Sequence, residues 1–422
     1  MLKEFKLSEL GKIVGGATPS TKIPEFFKGD IPWITPKDLA DFHKRYISSG
    51  ERSISKEALN SCSAQMLPKN SILFSSRAPI GYIAIAQNDL CTNQGFKSIV
   101  PNTNIVDPLF LFYLLKSSVN NIVKQASGTT FKEISGKTLG QIKVLMPESI
   151  TEQQQIASLL GTIDDAIELN QAINDNLEAM ARQLYEYWFV QFEFPDENGR
   201  PYKSSGGKME YSHHLMRNIP IGWQIKKLDE LADIKSGATP STEVKANYEG
   251  DIVWVTPKDL SRQKSKFVYH SERCISKQGF DSCSTSMVPV DSILVSSRAP
   301  IGLVSIAKKE VCTNQGFKTI VPKNILDSLY LYYYVKYQIN AIEQLGSGTT
   351  FREVSRQDLS AFPILVVGNE YIYKKWVDLQ KDIANNQFLL TKETNDLYKL
   401  RNTFINLLMN GQVSVNYHLS DD

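Results

Sequence analysis

The sequence predicts a mixed α/β protein laid out as domain, long helix, domain, long helix. Two observations predict this. First, the chain repeats itself. Residues 16–39 (GATPSTKIPEFFKGDIPWITPKDL) return at 237–260 with 15 of 24 positions identical, and residues 71–101 return at 292–322 with 22 of 31 identical. Both blocks keep an offset of 221, and SGTTFKE (127–133) returns as SGTTFRE (347–353) at 220. Second, each copy runs into a stretch with a heptad pattern, the signature of a helix with a partner helix along it. In the first, Leu160, Ile167, Asn174, Ala181 and Trp188 fall seven apart, with Ile156, Ile163, Asn170, Leu177 and Leu184 as a second seam. In the second, Trp376, Ile383, Leu390, Leu397 and Phe404 fall seven apart, with Leu379, Asn386, Glu393, Leu400 and Leu407 beside them. Both seams are polar in the middle, which weakens a coiled coil but fixes its register. About 40 residues at 1.5 Å each make a rod of roughly 60 Å. Two unrelated surface helices are the bland alternative.

Within the first copy, Leu7 to Val14 is a short amphipathic opening, and Gly15-Gly16 with Pro19 marks a turn. Ile31 to Ile34 reads as a strand ended by Pro36. Ser71 to Phe74, Tyr82 to Ala86 and Ser98 to Val100 are rich in branched and aromatic residues and read as strands. Asp107-Pro108 is a cap followed by a first-turn proline, so a helix runs to about Lys124. Ser135 to Gln141 is a short helix, and Ile142 to Leu145 a strand before Pro147. The run 187–223 carries Asp, Asn, Gly, Pro and Ser and reads as a linker of about 25 residues. The expected partition is 1–149 first domain, 150–194 first helix, 195–218 linker, 219–368 second domain, 369–410 second helix and 411–422 tail.

At 422 residues the chain exceeds one ordinary core, and 42% hydrophobic with 22% charged residues reads as globular. There is no run of 18 apolar residues and Met1-Leu2-Lys3-Glu4 does not open a signal peptide, so a cytoplasmic protein is expected, without a membrane partner. None of the five cysteines forms a C-x-x-C pair and the five histidines show no ligand spacing, so buried free thiols and no metal are expected. The net charge of +2 hides a division: residues 1–148 carry 18 Lys+Arg against 12 Asp+Glu, residues 219–366 carry 18 against 15, and residues 149–194 carry 1 against 8. Two modestly basic domains are compatible with phosphate contacts. The acidic face of the first helix (Asp164, Asp165, Glu168, Asp175, Glu178) is a poor DNA surface that suits a protein partner or plain solvation.

GDIPWITPKDL, the SRAPIG…TNQGF block, SGTTFKEIS followed by MPESITEQQQIASLLGTIDDAIELN, and YWFVQFEFPDENGRPYKSSGGKM…IPIGW cover nearly the whole chain in a specific order. Together they resemble the specificity subunit of a type I restriction–modification system. The resemblance implies two tandem, related α/β target-recognition domains separated by two long conserved helices that form an antiparallel coiled coil. Each domain would read one half of a split site on double-stranded DNA. The chain would recruit two modification subunits, which transfer methyl groups from S-adenosylmethionine to adenine, and restriction subunits can join them. The specificity subunit of another split-site restriction system is the nearby alternative.

The residues themselves carry no chemistry of that kind. There is no D/N-P-P-Y/F/W tetrapeptide to hold a flipped adenine and no F-x-G-x-G for the methyl donor. Gly136-Lys137-Thr138 fails as a P-loop end because Phe131 stands where the first glycine belongs. Glu133 and Glu353 recur but read as surface or helix-start carboxylates. The chain is therefore expected to be non-catalytic and to hold no cofactor, S-adenosylmethionine belonging to the modification subunit. A self-sufficient DNA-modifying enzyme and a coiled-coil scaffold with repeated protein-binding domains are the competing classes.

Reading DNA needs side chains that reach base edges and others that hold phosphates. The candidates are polar loops present in both copies: Thr35 and Lys37 with Thr256 and Lys258; Ser75, Ser76 and Arg77 with Ser296, Ser297 and Arg298; Asn93 and Gln94 with Asn314 and Gln315; Thr129, Thr130 and Lys132 with Thr349, Thr350 and Arg352. Lys44 and Arg45 face Lys264 and Lys266 in a segment that differs between copies. Loop Asn, Ser and Thr also bond their own backbone commonly, and Trp33 and Trp254 read as core. Two similar domains related by an approximate two-fold would read inverted half-sites across an unread spacer set by the helices, and the high identity of the copies points to a nearly palindromic site.

Overall fold

The structure is a computed structural model that describes residues 2–40, 42, 44–77, 79–127, 132–263, 265–298, 300–324, 327–347 and 352–415. It divides into two compact units, one of residues 1–170 with 393–422 and the other of residues 171–392.

In the first unit a five-stranded sheet runs in the order Gly11–Gly15, Lys97–Pro101, Ile72–Phe74, Ile83–Ala86, Tyr46–Ile47, antiparallel except for the last pair. A three-stranded sheet sets Ile31–Ile34 between Arg52–Ile54 and Cys91–Thr92, the latter parallel to it. The opening strand Leu2–Lys6 pairs antiparallel with Lys143–Pro147, closing the domain on itself. The Pro108–Lys124 helix starts as its sequence dictates: the Asp107 carboxylate accepts the Phe110 N–H at 2.9 Å and Pro108 fills the first turn. It buries Phe110 to Leu115 in a core shared with Ile72, Ile85 and Ile99 of the sheet, Ile156 and Leu160 of the long helix Ile150–Tyr185, and Ile405 and Leu408 of the long helix Glu370–Met409. Gln153, fully buried, ties the first long helix to the domain: its Oε1 accepts the Asp107 N–H at 2.9 Å and its Nε2 donates to the Ile105 and Pro147 carbonyls.

The second unit repeats the topology strand for strand. Its sheets are Ala232–Ser236, Phe317–Pro322, Ile293–Ser296, Val304–Ala307, Phe267–Val268, then Cys274–Ile275, Ile252–Val255, Cys312–Thr313, with Gln224–Lys227 pairing Pro363–Val366. The expected linker differs: it is folded. Met209–Ser212 and Arg217–Pro220 form a hairpin, and Phe194 stacks between Tyr202 (4.6 Å) and Trp223 (5.4 Å). Aromatic residues bracket the polar run and anchor it, which its Gly, Ser and Pro content conceals.

Within each unit the long helices pair antiparallel. Arg401 meets Asp164 in the first; Gln380 bonds the Ala181 carbonyl, and Gln387 the Asn174 carbonyl, in the second. The seam of the first helix is the predicted one at Ile156, Leu160, Ile163, Ile167, Asn170 and Ala181. Of the two seams expected on the second helix, the first turns inward, with Trp376 fully buried and Ile383, Leu390, Leu397 and Phe404 half-buried. The second is displaced by one residue: Gln380, Gln387, Thr394 and Arg401 turn inward, whereas Leu379, Asn386, Glu393 and Leu400 are exposed. A seam built on Gln and Arg that bond the facing helix does not register in a count of apolar residues.

Near the Arg401–Asp164 pair sits Lys116, its Nζ 5.3 Å over the Phe112 ring. Burial first, and then Arg401, push its amine down to about 8. The unfolded amine titrates near 10.4, so between about 8 and 10.4 the folded chain holds fewer protons than the unfolded one and stability rises with pH. Lys116→Met removes that rise and adds on the order of 1–2 kcal/mol at pH 7. Denaturant titrations from pH 7 to 10 check both; unchanged slope and midpoint contradict it.

Candidate nucleic-acid interface

Parallel pairing of Ile31–Ile34 with Cys91–Thr92 sends two chain segments out of the sheet at the same end. The Thr35–Lys37 loop and the Asn93–Gly95 loop therefore lie together, with a Cβ on Gly95 falling 2.8 Å from Pro36 Cγ. The Ser76 N–H donates to the Gly95 carbonyl at 2.7 Å, which adds the Ser75–Arg77 loop, and the Ile134 N–H donates to the Ser76 carbonyl at 3.0 Å, which adds Lys132–Glu133. Gly16 packs so closely on the Thr92 and Asn93 carbonyls that a side chain there is excluded. Four of the predicted loops thus converge on one edge of the domain.

The second copy builds the same edge. Thr256–Lys258, Asn314–Gly316, Ser296–Arg298 and Arg352–Glu353 meet through Ser297 N–H to Gly316 carbonyl at 2.7 Å and Val354 N–H to Ser297 carbonyl at 3.0 Å.

The candidates divide by what their side chains touch. Ser75, Ser76, Ser296 and Ser297 are buried, so their hydroxyls do not face outward. Ser75 Oγ donates to the Pro79 carbonyl and accepts the Tyr82 N–H, both at 2.8 Å, and Ser296 does the same with Pro300 and Leu303. They close the turn. Thr35 and Thr256 cap the next helical turn and bond Asp38 and Asp259 at 2.6 Å. Asn93 and Asn314 accept the Gly95 and Gly316 N–H groups at 2.9 and 3.0 Å. What remains outward on the edge is Lys37 and Lys258, Gln94 and Gln315, the partly exposed Arg77 and Arg298, and Lys132 and Arg352. Gln94 and Gln315 are each held by a threonine hydroxyl, Thr18 and Thr239. Lys37 and Lys258 pair with Glu51 and Glu272 at 2.8 and 2.9 Å. Lys44 is exposed beside the Tyr46–Ile47 strand. Thr129, Thr130, Lys264, Thr349 and Thr350 lie outside the described residues.

Two candidates are corrected outright in position. Arg45 and Lys266 are buried against helix, not turned to solvent. Arg45 binds Asp165 and Glu168, and Lys266 binds Glu178, so three carboxylates of the supposedly free acidic face are taken by the chain's own domains. Asp164 is buried too, accepting the Tyr113 hydroxyl at 2.6 Å and Arg401. Glu133 and Glu353 are also more than surface carboxylates. Each sits between two cations, Arg77 and Lys97 at 3.9 Å in the first copy, Arg298 at 2.8 Å and Lys318 at 2.9 Å in the second. Burial alone would push the Glu353 carboxyl up; bonds from Arg298 and Lys318 outweigh it and hold it below the usual carboxylate range. Recurrence of Lys97 as Lys318 was the available signal. Trp33 and Trp254 are core, donating to the Ala17 and Ala238 carbonyls at 3.0 and 3.1 Å. Cys91 and Cys312 are buried, the other three thiols partly so. Among the described residues no group of three His, Cys, Asp or Glu could hold a metal ion, and no helix is long and apolar enough to cross a membrane.

Duplicated α/β domains, each with a cationic and amide-bearing loop edge and each carried on paired long helices, define a tandem recognition protein. Comparison with known proteins agrees. The family model for the type I restriction modification DNA specificity domain matches residues 2–179 and again 220–406. The specificity subunit of the type I restriction enzyme MjaIX of Methanocaldococcus jannaschii is 43% identical over 242 residues, which is 57% of this chain and only about half (54%) of that relative. The HindI specificity subunit of Haemophilus influenzae is 27% identical over 407 residues, covering 82% of this chain and 87% of the relative. The crystal structure of a type I S subunit from M. genitalium shares the fold, with a TM-score of 0.59 at 15% identity over 97% of this chain and 96% of that one. The chain belongs to the family of type I restriction–modification specificity subunits, and its two repeats are tandem target-recognition domains.

Proposed function

We propose that each domain applies its four-loop edge to DNA and reads one half of a bipartite site, while the paired helices set the spacer and recruit two adenine-methylating modification subunits. The observation that carries this is the same outward set built twice on the same framework: Lys37/Lys258, Arg77/Arg298, Gln94/Gln315 and Lys132/Arg352. Lysines and arginines supply sequence-independent phosphate contacts. Amides and arginine forks supply the donors that base edges require. The working partition is residues 1–149 and 219–368 for recognition, 150–194 and 369–410 for the helices, and 195–218 as the folded connection. Methyl transfer and any cleavage fall to the partner subunits, so the chain itself is non-catalytic and acts where DNA is, in the cytoplasm. Near-identity of the two edges favours half-sites that match in inverted order.

The test is selection from a random duplex pool by the full chain together with its modification subunit. The expected result is enrichment of two short conserved blocks separated by a fixed unread gap. Failure of the folded complex to retain any duplex sequence selectively would overturn this reading in favour of a protein-binding scaffold.

A further inference from the structure

We infer that Arg45 and its repeat counterpart Lys266 are positioning residues: each pins its recognition domain to the first long helix, and so fixes which spacer length the protein accepts. The inference rests on the half-site reading above.

Both residues sit immediately before the edge strand of the five-stranded sheet. The Arg45 carbonyl accepts the Ile85 N–H at 2.8 Å, and the Lys266 carbonyl accepts the Ile306 N–H at 2.7 Å, so their backbones belong to the sheet. Their side chains leave the sheet and end on the helix. The Arg45 side chain is 8% exposed; Nη2 binds Asp165, Nε reaches Glu168 Oε1 at 3.3 Å, Nη1 donates to the Gly161 carbonyl at 3.2 Å, and the Arg45 N–H donates to the same Glu168 oxygen at 3.2 Å. The Lys266 side chain is 3% exposed; Nζ reaches Glu178 Oε2 at 3.0 Å and the Tyr333 hydroxyl at 2.6 Å. One residue in each copy thus belongs to the sheet through its main chain and to the helix through its charge.

The charge is spent on orientation. A buried cation is costly unless its partner is in place, so domain poses that separate the pair are disfavoured. Apolar packing alone is non-directional and tolerates small rotations. The helix side is prepared for this: six of the eight acidic residues in 149–194 lie on the helix Ile150–Tyr185, and Asp165, Glu168 and Glu178 of these receive the two cations. The two clamps are not copies of each other on the helix side. At the place where repeat symmetry would put the second acceptors, the second long helix instead has Phe388, which packs edge-on against Phe267 at 5.6 Å, and Lys266 reaches across to Glu178 of the first helix. Position 45/266 serves the same end through different partners, which separates a positioning role from mere inheritance of a repeat.

The experiment uses the full chain with its modification subunit and plasmids carrying the bipartite site with the spacer shortened or lengthened by one and two base pairs. Methylation is read for the wild type, Arg45→Met, Lys266→Met, Arg45→Lys, and the charge exchange Lys266→Glu with Glu178→Lys; melting curves confirm folding. The expected result is that the Met variants lose at least tenfold in the preference for the native spacer over its nearest neighbours, with the base sequence of each half unchanged. Arg45→Lys and the charge exchange should recover part of the preference. Should a Met variant fail to fold, Arg45→Lys and Glu168→Gln, which weaken the clamp without emptying it, give the same readout at smaller amplitude. A spacer profile identical to wild type in all folded variants overturns the inference while leaving the half-site reading intact. Absence of any bipartite methylation by the wild-type chain overturns that reading, and the inference with it.

Discussion

Arg401→Met will destabilise the chain by about 3–5 kcal/mol, the cost of leaving one member of a buried ion pair alone. Arg401 is 11% exposed and its Nη1 meets Asp164 Oδ1 at 2.7 Å; Asp164 is 6% exposed. The other carboxylate oxygen accepts the Tyr113 hydroxyl at 2.6 Å. Three elements therefore meet at one carboxylate: both long helices and the Pro108–Lys124 helix. Without the guanidinium, Asp164 keeps a single hydroxyl donor in a site that is only 6% exposed. Asp164→Asn in the Arg401→Met background should recover more than half of the loss, because a neutral amide needs no counter-charge there. Lys399→Ala, which breaks an exposed pair with Asp396, should stay within about 0.5 kcal/mol of wild type. Denaturant midpoints of the four proteins decide the matter; equal midpoints for Arg401→Met and wild type contradict it.

The second large effect concerns recognition. Gln94→Ala is expected to relax base choice at one position of one half-site, and Gln315→Ala at the matching position of the other. A good amide contact to a base edge is worth roughly 1–3 kcal/mol of discrimination, or about 5- to 150-fold. Lys37→Ala should act differently: binding weakens several-fold for every sequence alike, and the slope of log affinity against log salt falls by about one. Competition binding against single-base variants of each half-site, repeated at several salt concentrations, separates the two behaviours. If Gln94→Ala weakens all sequences equally, the amide is a phosphate or structural contact and the base-reading assignment fails.

Much of the architecture was legible because it is written twice. The repeat at an offset of 221 turned one strand reading into two, and the structure returns the same sheet order for both. Local signals also sufficed at Asp107-Pro108, where cap and first-turn proline define a helix start. The pairing of Leu2–Lys6 with Lys143–Pro147 left no trace, since its partners lie about 140 residues apart and the opening strand does not alternate. One of the two seams of the second helix is displaced by one residue because Gln380, Gln387 and Arg401, surface residues by hydropathy, face inward and bond the other helix.

At the candidate site the sequence located the loops but not the roles within them. Ser75 and Gln94 look equally suited to DNA on a list of polar residues. Only the fold shows that the serine hydroxyl is used up closing a turn, while the glutamine stays at the surface. Charge and a place in a segment that differs between copies point Arg45 and Lys266 toward DNA in the sequence; the carboxylates that claim them lie about 120 residues later or 90 residues earlier. The acidic bias of the first helix was the visible half of that pairing.

If two like domains read two like half-sites across a fixed gap, the pattern of methylated adenines records it. The most direct measurement is single-molecule methylome sequencing of DNA from cells expressing this chain with its modification subunit, against cells lacking the chain. The expected result is one new bipartite motif, adenine-methylated on both strands, with closely similar halves in inverted order. A continuous motif, or two unrelated halves, would contradict it.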